Sequence, residues 1–86
     1  MSEKLRQDLE AGRRTKELLE DEALIAAFET VEQRFIQRWK DSAPEDDKMR
    51  EQSWFALHGL EAVKRELKIV LDNGNFAASV LEKMKE

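Results

Sequence analysis

The chain contains no cysteine and no tyrosine, and only one proline, Pro44, and three glycines punctuate its 86 residues. The missing thiols exclude a disulfide framework, a thiol nucleophile and zinc sites built on thiolates. A chain so poor in turn formers and β-branched residues is a poor candidate for a sheet and reads as helical or coiled-coil. No stretch approaches the roughly 20 apolar residues that cross a bilayer. The opening Met1-Ser2-Glu3-Lys4 lacks the apolar run of a signal peptide. Both absences predict a soluble protein without a membrane partner. A phosphate-binding glycine loop, a serine elbow and any other nucleophile–base constellation are also missing. We therefore expect no enzyme, no catalytic residue and no cofactor.

What the chain does have is charge and periodicity. Charged residues make up 40% and hydrophobic residues 41%, at a net charge of only −4. Regularly spaced apolar residues and a small net charge argue against disorder. The length allows one domain at most, near the size where a single core is barely sufficient.

The strongest pattern lies between Pro44 and Asp72-Asn73-Gly74. Met49, Ser53, Ala56, Leu60, Val63, Leu67 and Val70 recur in alternating steps of four and three. That is the a/d seam of a coiled coil, interrupted only by the polar Ser53. It predicts a helix over about 45–71, widened by Trp54, Leu57 and Leu71. Asn73-Gly74 supplies the residue type that ends helices, so a separate short helix over 75–85 should follow, capped by Asn75.

Upstream, Leu24, Phe28, Val31, Phe35 and Trp39, widened by Ile25 and Ile36, predict an amphipathic helix over 22–40. A weaker helix over 3–20 precedes it, with the register Leu5, Leu9, Gly12, Lys16, Leu19. The stripe changes phase by one residue near Glu20-Asp21-Glu22, a rotation of about 100°, so a break belongs there with Asp21 as cap. In the polar link 41–47, Pro44 suits the first turn of the next helix and Ser42 its cap. A link this short predicts an antiparallel hairpin of 22–40 and 45–71 within a single all-α domain.

The longer arm overhangs the shorter by roughly two turns, and the overhang carries Val63, Leu67, Val70 and Leu71. Neither terminal helix is apolar enough to complete a core, which points to a homo-oligomer or a protein partner. With Trp39 and Trp54, these residues form the candidate interaction surface. The two tryptophans flank the link and are expected to plug the open end of the bundle. The alternative is an aromatic anchor, a role tryptophan often fills at interfaces.

Other clusters read as surface. His58 shares a flank of its helix with Trp54 and Glu61, but a di-metal bundle wants Glu-x-x-His on two helices, so no metal site is expected. Arg13, Arg14 and Lys16 form the one basic cluster and the candidate phosphate contact. With residues 1–17 near neutral and a pI of about 5.1, nucleic-acid binding is disfavoured. The acidic tip of Asp41, Glu45, Asp46, Asp47 and Glu51 lacks the glycine and alternation of a calcium loop.

The run from Leu18 to Glu32, Trp39, Arg50-Glu51 with Trp54, and Asn73-Gly74 followed by Ala77-Ala78-Ser79-Val80-Leu81 resembles small helical proteins of tailed bacteriophages and prophages. The resemblance covers about residues 18–84. Such proteins are often encoded near virion structural genes, and the resemblance implies a role in virion assembly or structure, in the bacterial host cytoplasm or the virion. Two alternatives stand beside it. One is a small terminase-like packaging factor using Arg13, Arg14 and Lys16. The other is a small acidic inhibitor of a host protein, with the tip 41–51 mimicking phosphates.

Overall fold

A computed structural model describes residues 2–85. It is all-helical, with no strand among the described residues. The elements are α1 (Ser2–Leu19), α2 (Glu22–Asp41) and α3 (Asp47–Lys85). The interruption between α1 and α2 falls at Glu20 and Asp21, where the apolar stripe changes phase. The last turn of α1 closes through the amides of Glu20 and Asp21 onto the carbonyls of Lys16 and Leu18, both at 3.1 Å.

The link between α2 and α3 corrects one expectation. Pro44 lies in a turn before α3, and Ser42 does not cap it. Ser42 instead donates its hydroxyl to the Trp39 carbonyl at 2.6 Å, sealing the end of α2. Asp46 is the cap, accepting from the Met49 amide at 3.1 Å, the bond that satisfies an orphan donor of the first turn. Arg50 fixes the turn by donating to the Pro44 carbonyl at 2.8 Å, to the Ala43 carbonyl and to Asp47. Contacts that reach six and seven residues back are invisible to local capping rules.

A second correction concerns α3, which runs 39 residues without a break, about 58 Å. The expected end at Asn73-Gly74 and the separate helix over 75–85 do not exist. No described glycine takes a positive φ, so Gly74 is not a left-handed terminator. It continues the seam, since Leu67, Val70, Gly74, Ala77 and Leu81 again advance by three and four.

The chain divides into two units, Met1–Asp21 with Arg65–Glu86, and Glu22–Lys64. In the first, α1 and α3 cross through Gly12 and Gly74. A Cβ built on Gly12 would lie 2.7 Å from the Gly74 Cα and 3.4 Å from the Val70 carbonyl oxygen; one on Gly74 would meet the Asp8 carbonyl oxygen at 3.1 Å. As numbers rise from Asp8 to Gly12, the α3 residues met fall from Gly74 to Val70, so these helices are antiparallel. The close approach selects small neighbours. Gly12, Thr15, Gly74 and Ala77 are buried, and Lys16 is exposed. The register expected through Leu9 and Lys16 is therefore replaced by Leu5, Asp8, Gly12 and Thr15.

In the second unit, α2 and residues 47–64 half-bury Leu24, Phe28, Val31, Phe35, Ile36, Leu57 and Leu60. Ser53 sits on this seam at 2% exposure. Lys64 donates to Glu32 Oε2 on α2 at 2.8 Å. That hydrogen bond raises the Lys64 pKa, assisted by the charges of Glu32, Glu61 and Glu29 and opposed by partial desolvation.

Candidate interaction surface

The expected overhang is not bare. Leu67, Val70 and Leu71 are half-buried in the first unit, where α1 lies against α3. Its covering partner is a helix of the same chain, made weak in sequence by the very glycine that lets it approach. Val63 differs, remaining 48% exposed.

Trp39 and Trp54 are 52% and 51% exposed, so neither plugs a core within this chain. Trp54 is nevertheless ordered by its neighbours on α3. The His58 ring stacks on it, with centroids 3.7 Å apart and planes 25° from parallel. Phe55 meets it edge-on at 5.1 Å and 87°. His58 also donates through Nδ1 to the Trp54 carbonyl at 2.9 Å. A helix repeat brings His58 back over Trp54 because the two are four residues apart. The result is a preformed aromatic platform facing solvent, with Phe55 61% exposed.

The other candidates separate into satisfied surface groups. His58 and Glu61 do not form a couple: His58 turns to Trp54, and Glu61 approaches Lys64 at 3.9 Å. No group of three metal-ligating side chains occurs among the described residues. Arg13 grips Glu10 through Nε at 3.1 Å and Nη2 at 2.6 Å, and reaches Glu17 at 2.8 Å. Arg14 donates to Glu10 at 3.2 Å. The Arg13 hydrogen bond is the chief cause holding the Glu10 carboxyl below its ordinary pKa, and Glu10 in turn raises Arg13. Lys16 is exposed. Two of the three expected phosphate-contacting cations are thus already bound by carboxylates of their own helix. In the acidic tip, Asp41 accepts from Gln37 at 2.9 Å, Asp46 caps α3 and Asp47 pairs with Arg50. No described helix is long and apolar enough to cross a membrane.

Sequence reasoning missed Phe55, Ile69 and Phe76, which are 61%, 44% and 64% exposed. Their signal was present: they recur at multiples of seven on α3, off its seam. Compared with known protein families, curated proteins and solved structures, the chain matches none.

Proposed function

We propose that this chain is a non-enzymatic helical interaction protein that works as a homo-oligomer. The observation carrying this reading is the poverty of its own core. Ala77 is the one buried apolar residue among those described, while eleven large apolar side chains stay exposed. The total accessible surface is 6943 Å² for 10.1 kDa, whereas a folded monomer of that mass exposes about 5,300 Å². Exposed apolar surface on this scale marks association.

In this reading α2 and the first part of α3 form an antiparallel hairpin. Five residues separate Asp41 from Asp47 and span at most about 20 Å with their flanking bonds. A parallel return would need about 30 Å. The Glu32–Lys64 contact supports the same pairing.

The resemblance to small phage proteins makes the role one in virion assembly or structure. The carboxylates already holding Arg13 and Arg14 weigh against the packaging alternative. Molar mass in solution, by sedimentation across a wide concentration range, tests the reading. A mass of two or more chains is expected, and a monomer at every concentration overturns it. The genes flanking the coding sequence test the virion role, which fails if none encodes a phage structural protein.

A further inference from the structure

Three glycines lie inside helices, and two have an evident reason to be there. Gly12 and Gly74 face each other where any Cβ would strike backbone. Gly59 has no such reason within the chain, because a Cβ there would meet nothing within 4 Å. Glycine is the poorest helix former after proline, so an exposed one mid-helix weakens α3 without improving any packing inside the chain. Its setting is apolar. Phe55 precedes it by one turn, Ala62 follows by just under one, and Trp54 with His58 forms the stacked platform beside it. All of these positions are exposed.

We infer that this face of α3 is a self-association surface, on which a second copy of the chain crosses at Gly59. The inference rests on the homo-oligomer reading above and specifies its interface. A two-fold contact sets the same patch against itself. An antiparallel crossing near Gly59 lets the two backbones approach as closely as those of α1 and α3 do at Gly12 and Gly74. It also places Phe55 of one copy against the partner's Ala62, large against small, with each Trp54–His58 stack along the edge.

Area selects the occupant. The chain exposes 6943 Å², about 1,600 Å² beyond what its mass predicts, and a stable interface needs about 800 Å² from each partner. A fold with so little core requires that cover whenever it is present. A second copy is the partner guaranteed to accompany it.

Sedimentation equilibrium of the full-length chain tests this with Gly59→Ala, Phe55→Glu and, on the other unit, Phe76→Glu. Gly59→Ala adds helix propensity and meets no atom of its own chain, so it folds at least as well as the parent. Both Gly59→Ala and Phe55→Glu should weaken dimerisation at least tenfold, while Phe76→Glu leaves it unchanged. A parent that dimerises, with Gly59→Ala and Phe55→Glu dimerising equally well, overturns this surface and leaves self-association standing. A parent that is monomeric throughout overturns both.

Discussion

Gly74→Ala should destabilise the protein although it replaces a poor helix former with the best one. In an exposed helix interior the exchange gains about 1 kcal/mol. Here the new Cβ would stand 2.7 Å from the Gly12 Cα and 3.1 Å from the Asp8 carbonyl oxygen. Carbon atoms settle at about 3.5–4.0 Å, so α1 and α3 must part by roughly 1 Å. Both obstructing atoms are backbone, and no rotamer change relieves them. Overpacking of this kind costs about 1–3 kcal/mol, and a rigid obstruction belongs in the upper half of that range. The net loss is then about 1–2 kcal/mol, or roughly 5–15 °C in Tm for a domain of this size. Asn73→Ala is the control. Asn73 is exposed one residue away, and alanine there should gain about 0.5 kcal/mol. Thermal unfolding followed by far-ultraviolet circular dichroism, at one fixed protein concentration, reads both. If Gly74→Ala melts as high as the parent or higher, the glycine crossing is wrong.

Removing the Asp46 side chain with Asp46→Ala should cost about 1 kcal/mol as a lost N-cap, seen as a lower urea midpoint. Asp46→Ser should restore most of it, and an unchanged midpoint in Asp46→Ala would return the capping role to another residue. The Lys64–Glu32 contact predicts a pH dependence of definite sign. Because Lys64 is raised above the ordinary 10.5, its contribution is complete below that value and is lost as pH climbs through the raised one. The Tm advantage of the parent over Lys64→Gln should therefore vanish on the alkaline limb, and a constant gap across that limb refutes the assignment. Glu10 works in the opposite sense. Its carboxyl is depressed below 4.5, chiefly by the Arg13 hydrogen bond. Glu10→Gln should lose a small advantage present above 4.5, and that difference should close as pH falls through the depressed value.

Much of the helical layout was legible because it depends on local periodicity. The phase change near residue 21 and the polar link before α3 both coincide with interruptions between helices. Asn73-Gly74 misled because glycine serves two purposes that look alike locally. At a terminus it supplies a left-handed backbone, and inside a helix it supplies close approach. The seam distinguishes them: Gly12 and Gly74 both occupy apolar-stripe positions, where a terminator has no need to lie. The interaction surface was less legible. Val63 and the tryptophans are exposed as an interface would require, but Leu67, Val70 and Leu71 are half-buried against their own chain. Phe55, off the seam, escaped notice because attention to a buried stripe passes over a second, solvent-facing one.

The buried and exposed sets of this chain are inverted in size. Its closed contacts involve Gly12, Thr15, Ser53, Gly74 and Ala77, whereas Trp39, Trp54, Phe55 and Phe76 keep half or more of their area in water. Fully burying a large apolar side chain stabilises by about 1.5–3 kcal/mol, and glycine, serine or alanine contributes far less. Most of the hydrophobic stabilisation this sequence can supply is therefore unrealised in a single chain and becomes available only on association. Folding and self-association should then be one linked equilibrium. In such a system the apparent Tm rises with protein concentration, because the associated state is the only one that mass action favours over the unfolded chain. Melting curves over a hundredfold range of concentration should shift upward together, by circular dichroism and by tryptophan emission alike. Curves that superimpose at all concentrations would mean that the small-residue crossings alone hold the fold, and the outward-facing aromatics would have no part in its stability.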